Sequence, residues 1–178
     1  MIDIQIFQFI NNLAGQNILL DNSFIFITIF GNLLLFLIIL FSRNIKLILK
    51  SITAYIIAKA VDLGINLLYY RPRPFVVQEV NLLIAQKATA SFPSGHAMTA
   101  FVFAQLIYFW NKKYGIIAYV LAFLVAFSRI YAGVHYPLDT IAGVILGIGI
   151  AFIIEYLFEK YRVMKKLRKG WKFIFKHL

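Results

Sequence analysis

Two of the three histidines in the sequence occur in short polar segments beside long apolar runs. His135 lies in SRIYAGVHYPLD, residues 128–139, and Asp139 follows it by four positions. Pro137 suits the first turn of a helix, and this places Asp139 in the same turn. A carboxylate there can accept a bond from one imidazole nitrogen of His135 and leave the other nitrogen free as a nucleophile. The alternative is a helix-capping carboxylate beside a histidine at the membrane interface.

The segment FPSGHA, residues 92–97, has the composition of a helix start. Ser94 is a favourable N-cap residue, and Gly95 allows another group to approach the backbone closely. The first N–H groups of a helix have no partner within it, so those of Gly95 and His96 predict an anion site. The His96 imidazole could donate a proton to a leaving oxygen in that site. The alternative is an ordinary capped helix that begins with an interfacial histidine.

Two arginines complete a set of groups that suits a phosphate. Arg73 lies in YYRPRPF, residues 69–75, whose prolines stiffen the loop, and Arg129 lies near the end of an apolar run. Guanidinium groups bind phosphate oxygens in a fork and spread their charge in the transition state. Each arginine could instead extend to lipid headgroups. For the site to have no function, however, the non-catalytic alternatives would have to hold for both arginines and both histidines at once. The set therefore favours phosphoryl transfer through a covalent phosphohistidine.

Other chemistries are excluded by what the sequence lacks. It has no cysteine, which excludes disulfides, thiolate metal sites and cysteine nucleophiles. Its seven Asp and Glu residues form no cluster of the kind that binds Mg²⁺ or Ca²⁺, and the two motif histidines have no third ligand for zinc. We therefore expect neither a metal ion nor another cofactor.

The composition places these groups in a membrane protein. Of the 178 residues, 62% are hydrophobic and the mean hydropathy is +0.82, whereas a soluble domain is about half apolar. The formal net charge is +11. A basic excess could indicate nucleic-acid binding, but the apolar composition makes membrane lipids the expected partners, with no nucleic acid.

The hydropathy pattern predicts an all-α integral membrane bundle of five to six helices. Residues 1–20 mix Ile, Phe and Leu with Asn and Gln, which predicts an amphipathic helix at the interface. Residues 21–159 form the predicted transmembrane domain, and residues 160–178 form a basic cytoplasmic tail. A span needs about 20 apolar residues, and five spans are predicted at 23–41, 51–70, 94–110, 114–132 and 137–158.

The basic residues predict the orientation of these spans. Most of the 18 Lys and Arg residues lie between the first and second spans, between the third and fourth, or after the fifth, and this asymmetry marks the cytoplasmic side. The alternation of spans then puts residues 69–75, 92–97 and 128–139 together on the opposite face. We therefore predict one multi-pass domain whose site faces away from the cytoplasm.

These motifs resemble those of the type 2 phosphatidic acid phosphatase superfamily of membrane lipid phosphatases. Residues 93–96 match its P-S-G-H motif, and residues 128–139 match S-R-x-x-x-G-x-H-x-P-x-D at every fixed position. The resemblance covers roughly residues 50–158. It implies that His135 is the nucleophile, that Asp139 orients it and that His96 is the general acid. It also implies that the phosphate is bound by four residues around them, Arg73, Ser94, Gly95 and Arg129.

The first motif of the superfamily, K-x-x-x-x-x-x-R-P, is not matched in full. Asn66 stands seven residues before Arg73, and Gly64 stands seven before Arg71, so neither position holds a lysine. Asn66 could donate a neutral hydrogen bond to the phosphate, and Arg71 could partly replace the missing cation. The segment RPRPF and the absent lysine resemble the bacterial undecaprenyl-diphosphatases of the bacitracin-resistance type. That resemblance implies a location in the bacterial plasma membrane, with the site on the extracytoplasmic side.

The same resemblance implies hydrolysis of the terminal phosphate of undecaprenyl diphosphate, which recycles the lipid carrier of cell-wall synthesis. A phosphatidylglycerophosphate or phosphatidate phosphatase is the alternative within the same chemistry, because the motifs bind the phosphate and not the tail. A non-catalytic membrane transporter or lipid-binding scaffold is the alternative from another class.

Three further patterns concern packing and access. Lys59 and Asp62 are three residues apart on one helix face, and we interpret them as a structural ion pair within the membrane. Gly143 and Gly147 form a small-x-x-x-small face, which predicts close packing between spans. Residues 75–92, between the second and third spans, could cover the site or contact the membrane.

Overall fold

The structure is a computed structural model that describes residues 2–160. All regular secondary structure in that range is helical, which confirms the predicted all-α bundle. The helices in chain order are α1 (Ile2–Asn11), α2 (Ile18–Phe41), α3 (Ile45–Leu68), α4 (Pro74–Val77), α5 (Gly95–Trp110), α6 (Lys112–Tyr131) and α7 (Pro137–Lys160). Helix α4 is a single turn of four residues. The predicted basic tail, apart from its first residue Lys160, lies outside the described residues.

Polar side chains mark where the long helices begin. Asn17, Asn44 and Asn111 are the N-cap residues of α2, α3 and α6, and each side-chain oxygen accepts a hydrogen bond from a backbone N–H of the first turn. Ser94 caps α5 in the same way, and Pro137 is the first residue of α7, as predicted. These caps satisfy N–H groups that a helix leaves unpaired, so they fix the ends of the helices that carry the motifs.

Helix α5 forms the centre of the bundle. Its middle is buried on all sides, and it packs against α2, α3, α6 and α7. The approach to α7 is closest at two glycines. A Cβ atom at Gly143 would lie 2.6 Å from the Ser94 carbonyl oxygen, and one at Gly147 would lie 2.4 Å from the Met98 carbonyl oxygen. The close packing predicted for these glycines is therefore confirmed, and it brings the starts of α5 and α7 together.

The outside of the bundle is strongly apolar. Large hydrophobic side chains on the outward faces of the long helices are more than half exposed, among them Ile29, Ile56, Phe123 and Ile145. An apolar surface of this extent fits lipid better than water. Within the described residues, three of the five predicted spans, α2, α6 and α7, are long and apolar enough to cross a membrane. Helix α3, the second predicted span, has 24 residues but is not among these three, and α5, the third, has 16 residues. These features indicate a membrane protein built around a short, enclosed central helix.

The N-terminal helix is shorter than the sequence pattern predicts. Helix α1 ends at Asn11, and α2 begins at Ile18. Gly15, in the connecting turn, has a left-handed φ of +82°, and its N–H donates to the Asp21 carboxylate. The pattern of polar and apolar residues predicts one helix over residues 1–20. The turn at Gly15 and the Asn17 cap divide this segment between α1 and the start of α2.

Helix α1 packs on the end of the bundle where the motif segments meet. Phe7 is buried against Ile130 and Tyr136. Asn11 and Asn81 exchange hydrogen bonds, since the Asn81 N–H donates to Asn11 Oδ1 at 2.9 Å and Asn11 Nδ2 donates to the Asn81 carbonyl oxygen at 3.0 Å. This asparagine pair attaches the loop between α4 and α5, called here the 78–94 loop, to α1.

The far ends of α3 and α7 are joined by charged side chains. Lys50 is buried, and its Nζ donates to Glu155 at 2.7 Å and to Glu159 at 3.1 Å. Lys46 also pairs with Glu159. These contacts lie at the end of the bundle opposite to the motif segments, on the side predicted to be cytoplasmic.

Candidate active site

His135 lies in the short connection between α6 and α7 and is 2% exposed. The N–H groups of Val134 and His135 both donate to the Arg129 carbonyl oxygen at 3.2 Å, which turns the chain sharply after α6. Gly133 has a φ of +80° in this turn, and a Cβ atom there would lie 3.1 Å from the Asn81 carbonyl oxygen. Glycine is therefore needed at this motif position for both its backbone conformation and its small size.

Asp139 faces His135 from the first turn of α7. Its Oδ2 lies 3.7 Å from His135 Nδ1, which is within ion-pair distance but longer than a hydrogen bond. The same oxygen accepts a bond from the Tyr136 N–H at 2.9 Å, and His135 Nδ1 has no hydrogen-bond partner within residues 2–160. The direct hydrogen bond predicted from the four-residue spacing is thus not formed in this conformation, because the carboxylate caps its own helix.

The other oxygen of Asp139 is bound by Arg71. Arg71 Nη1 donates to Asp139 Oδ1 at 2.6 Å, and Nη2 donates to Asp3 Oδ2 at 2.5 Å. The guanidinium carbon lies 4.0 Å from the centre of the Tyr136 ring. Asp3 also accepts a bond from the Leu138 N–H at 3.0 Å. Arg71 as a phosphate ligand stays a prediction, since its observed contacts are with the carboxylate that faces His135.

Arg73 contacts the opposite side of the His135 ring. Its Nη1 lies 3.2 Å from His135 Nε2 and donates to the Val134 carbonyl oxygen at 3.0 Å. Its Nη2 donates to the Thr89 hydroxyl at 3.3 Å, and its Nε has no partner among the described residues. An anion that approaches His135 Nε2 would therefore meet this guanidinium group.

Arg129 is the second guanidinium of the site and is 2% exposed in the last turn of α6. Its Nη1 donates to Thr28 Oγ1 of α2 at 2.9 Å, and its Nη2 donates to Gln86 Oε1 of the 78–94 loop at 3.3 Å. Its Nε is buried without a partner in the described part of the chain. Because both partners are neutral, the positive charge remains available to an anion.

The start of α5 lies directly against the start of α7. The Ser94 N–H donates to the Asp139 carbonyl oxygen at 2.9 Å. Ser94 Oγ accepts from the Ala97 N–H at 3.5 Å as the N-cap. Gly95 and His96 are the first two residues of the helix, so their N–H groups have no intrahelical acceptor. The start of α5 is therefore where the sequence predicts it, and an anion site formed there by Ser94 and Gly95 stays a prediction.

The His96 side chain lines a pocket of about 480 Å³ between α2, the 78–94 loop, α5 and α6, and Arg129 lines the same pocket. His96 lies within electrostatic range of Arg129, His135 and Arg73. Its carbonyl oxygen accepts a bond from Asn32 Nδ2 of α2 at 3.3 Å. The structure thus brings the two motif histidines and the two motif arginines to one end of the bundle.

Asn66, at the position of the missing lysine, makes its hydrogen bonds within α3. Its Nδ2 donates to the Asp62 carbonyl oxygen at 2.7 Å and to Asp62 Oδ1 at 3.2 Å. The Asp62 carboxylate packs against Gly95, where an added Cβ atom would lie 2.7 Å from Oδ2. No ion pair within 4 Å joins Lys59 to Asp62 in the described chain, and Lys59 Nζ lies 5.6 Å from the centre of the Tyr55 ring. The expected direct pair is therefore not formed, and Asn66 as a phosphate ligand stays a prediction.

The environment of His135 keeps its imidazole neutral. Burial, together with the positive charges of Arg129 and Arg73, lowers the pKa of His135 to about 4, and Asp139 opposes this shift. Burial also lowers the pKa of Arg73, an effect that the charges of Asp139 and Asp62 offset in part. A neutral imidazole has an unprotonated nitrogen at neutral pH, and that nitrogen is able to attack phosphorus.

Sequence reasoning missed the partners that lie outside the motifs. Thr28 is 101 residues from Arg129 along the chain, and Gln86 is 43 residues from it. No motif spacing marks contacts of this length. The residues missed are those that bind Arg71, Arg73 and Arg129 from α1, α2 and the 78–94 loop, namely Asp3, Thr28, Gln86 and Thr89.

The site as a whole is a buried imidazole between a carboxylate and a guanidinium, with a second guanidinium, a second imidazole and a helix N-terminus beside it. The sequence pattern of the PAP2 superfamily matches residues 44–162. The chain belongs to the PAP2 superfamily. The PAP2 match includes all three motif segments and leaves α1 and α2 outside, although these helices supply Asp3 and Thr28 to the site.

Relatives of this PAP2 chain cover most of its length. Undecaprenyl-diphosphatase BcrC of Bacillus subtilis is 34% identical over 163 residues, which are 88% of this chain and 82% of the relative. Bacitracin transport permease protein BcrC of Bacillus licheniformis is 32% identical over 154 residues, 83% and 76% of the two chains. The crystal structure of Aquifex aeolicus LpxE has a TM-score of 0.78 at 31% identity and covers 88% of this chain and 96% of its own. The predicted family resemblance is confirmed, and the chain is a membrane lipid phosphatase.

Proposed function

We propose that the protein hydrolyses the terminal phosphate of undecaprenyl diphosphate through a phosphohistidine intermediate on His135. The observation that carries the proposal is the 3.2 Å contact between Arg73 Nη1 and His135 Nε2, beside the pocket that holds His96 and Arg129. A guanidinium group at the nucleophilic nitrogen would hold the phosphoryl group where it is attacked. The undecaprenyl-diphosphatase name of the Bacillus subtilis relative supports the choice of lipid.

In the first step, His135 Nε2 forms a bond to the terminal phosphorus while the bond from phosphorus to the bridging oxygen breaks. His96 donates a proton to that oxygen as it leaves phosphorus, and the lipid monophosphate departs. Arg73 holds the oxygens of the transferred phosphoryl group at His135, and Arg129, in the neighbouring pocket, stabilises the charge of the diphosphate. The Asp139 carboxylate, on the Nδ1 side of the ring, stabilises the positive charge that forms on the imidazole.

In the second step, a water molecule attacks the phosphorus and His96 accepts its proton. The bond from Nε2 to phosphorus breaks, inorganic phosphate leaves, and His135 returns to its neutral form. The scheme uses protein groups alone. We propose that the reaction needs no metal ion, and the EDTA test below decides this point.

We place the site on the extracytoplasmic face of the bacterial plasma membrane and the basic C-terminus in the cytoplasm. Lys46, Lys50 and Lys160 at the end opposite to the motifs support this orientation. The enzyme would then act on the lipid carrier that is released outside the cell and would return it to cell-wall synthesis.

The orientation can be tested by labelling, because the sequence contains no cysteine. A single cysteine at exposed Lys87 should react with a membrane-impermeant maleimide in intact cells, and one at exposed Lys113 should not. The reverse labelling pattern would contradict the orientation.

The reaction is tested by phosphate release from undecaprenyl diphosphate by the purified protein in detergent with EDTA. We expect turnover that EDTA does not change, no turnover by His135→Ala, and an acid-labile ³²P label on His135 when the substrate carries ³²P in its terminal phosphate. Strong inhibition by EDTA would show a metal requirement. A label on another residue would overturn the mechanism.

The substrate is tested by giving the same preparation phosphatidate and phosphatidylglycerophosphate. Faster turnover of either glycerophospholipid would replace undecaprenyl diphosphate as the substrate. Absence of phosphate release from every lipid would favour a non-catalytic transporter or scaffold, and the Bacillus licheniformis relative is named a transport permease.

A further inference from the structure

The pocket beside His96 contains polar side chains that the proposed reaction does not use. Thr28 enters it from α2 and Gln86 from the 78–94 loop, and both contact Arg129. We propose that Thr28 and Gln86, together with Arg129, form a subsite for the second, lipid-attached phosphate of a diphosphate substrate. This inference rests on the proposed function, which places the terminal phosphate at His135.

The contacts with Arg129 determine which atoms of Thr28 and Gln86 remain free to donate hydrogen bonds. A guanidinium group can only donate hydrogen bonds, so Thr28 and Gln86 must each turn an oxygen toward it. Thr28 Oγ1 accepts at 2.9 Å and Gln86 Oε1 accepts at 3.3 Å. The Thr28 hydroxyl hydrogen and the Gln86 Nε2 group are then free to donate elsewhere. With the buried Nε of Arg129, which has no partner within the described residues, three residues offer donors in one pocket.

The charge and lining of the pocket fit a phosphate that carries a hydrocarbon chain. Among its lining residues Arg129 is the charged side chain, and no carboxylate lines it in the described structure. The remaining lining residues are mainly apolar, namely Ile25, Ile29, Leu83, Ile84 and Ala85. Hydrogen bonds to a charged phosphate are stronger in such surroundings than in water. The donors therefore suit the phosphate, and the apolar side chains suit the carbons attached to it.

The position of His96 assigns this pocket to the leaving group. The general acid must lie within reach of the oxygen that it protonates, and His96 lines the same pocket as Thr28 and Gln86. For a diphosphate substrate, that oxygen belongs to the lipid-attached phosphate. In a monophosphate ester it is bonded directly to carbon, so the donors would face a hydrocarbon and stay unpaired. Unpaired buried donors carry a free-energy cost, and the subsite should therefore favour diphosphates.

The subsite is tested with farnesyl diphosphate and farnesyl monophosphate, which share one tail and differ by the second phosphate. For Thr28→Val and Gln86→Met we expect kcat/KM on the diphosphate to fall about tenfold, and that on the monophosphate to change less than about twofold. Thr28→Ser keeps the hydroxyl and should retain the diphosphate preference. Gln86→Glu adds a negative charge and should weaken diphosphate hydrolysis more than Gln86→Met does.

Matched controls are available elsewhere in the chain. Thr53→Val removes a hydroxyl that bonds only its own helix at Leu49, and Gln16→Met changes an exposed glutamine remote from the pocket. Neither Thr53 nor Gln16 lines the pocket, so both controls should keep the wild-type ratio of the two substrates. Equal losses on both substrates in Thr28→Val and Gln86→Met, or no loss in either, would overturn the subsite while the proposed function stands. Failure of the unmodified protein to hydrolyse farnesyl diphosphate at all would overturn both.

Discussion

Arg71 donates a 2.6 Å hydrogen bond to Asp139, and this bond joins the segment before α4 to the first turn of α7. Asp139 is fully buried and faces His135 Nδ1. Asp3 of α1 binds the other end of the same guanidinium group. The carboxylate that faces His135 is therefore linked to two other parts of the chain, the segment before α4 and helix α1.

Arg71→Gln should lower kcat about tenfold with a much smaller change in KM, because it releases the Asp139 carboxylate without touching the phosphate. Asp3→Asn should cause a smaller loss in the same direction, since it loosens Arg71 and not Asp139 itself. Steady-state kinetics on a polyprenyl diphosphate separates the two parameters. A raised KM with kcat unchanged would instead assign Arg71 to the phosphate, as the motif comparison allows. Arg43→Gln, at an exposed arginine between α2 and α3, serves as the control.

The acid limb of kcat/KM should move in opposite directions in two variants. His135 must be neutral to attack, so the rate falls as the pH drops through its pKa, which burial lowers to about 4. Asp139 raises this pKa, and Asp139→Asn should move the limb to lower pH. Arg73 lowers it, and Arg73→Gln should move the limb to higher pH.

The measurement is a pH profile of kcat/KM for both variants and the unmodified protein on one substrate, so that the titration of the substrate phosphate is common to all three. Asp139→Asn should also lower kcat by about 100-fold, since the charge on the phosphorylated imidazole loses its counter-ion. If the rate falls at the same pH in all three proteins, Asp139 and Arg73 do not shift the pKa of His135 as we propose.

His96→Gln should be most harmful for substrates whose leaving group needs a proton. We expect the burst of phosphoenzyme formation from a polyprenyl diphosphate to slow by about 100-fold or more. With p-nitrophenyl phosphate, whose leaving group is a stable anion, the burst should slow much less. Rapid-mixing measurements of the first turnover distinguish this step from the later attack of water. An equal loss with both substrates would show that His96 does not act as the acid.

Gly147→Ala should destabilise the bundle by about 1–3 kcal/mol, because its Cβ would lie 2.4 Å from the Met98 carbonyl oxygen. Gly143→Ala should lower activity as well, since its Cβ would press on the Ser94 carbonyl oxygen at the start of α5. Gly149 is on the same helix with no heavy atom within 4 Å of an added Cβ, so Gly149→Ala is the matched control. Thermal unfolding in detergent and phosphate release check these changes. Equal stability of Gly147→Ala and Gly149→Ala would contradict the observed crossing.

The sequence predicts those parts of the site whose backbone geometry is determined by the residue itself and its chain neighbours. Ser94 caps α5 and Pro137 begins α7 wherever the rest of the chain lies, and Gly133 marks a turn that needs a positive φ. Alternating spans then bring the three segments to one end. The predicted bounds 94–110 agree with an observed helix at Gly95–Trp110, although this helix is not among those long and apolar enough to cross a membrane within the described residues.

The contacts that the sequence does not predict depend on tertiary packing. Arg71 is 68 positions from both Asp3 and Asp139, so its two carboxylate partners are set by how α1 and α7 dock. The spacing of His135 and Asp139 predicts that they face each other, as they do, but not that the Tyr136 N–H takes the carboxylate oxygen. The separation of two residues along the chain carries no information on which donor binds the carboxylate oxygen.

The asparagine pair between α1 and the 78–94 loop has a practical consequence for handling the protein. Asn11 holds the loop that carries Gln86, and Asp3 in the same helix steadies Arg71. An affinity tag or fusion partner joined directly ahead of α1 would be attached to the helix that binds both the 78–94 loop and Arg71, and we expect it to disturb the candidate active site. A tag in that position would therefore alter the activity being measured. Removing the first eleven residues to improve expression would delete Asp3 and Asn11, which bind Arg71 and the 78–94 loop.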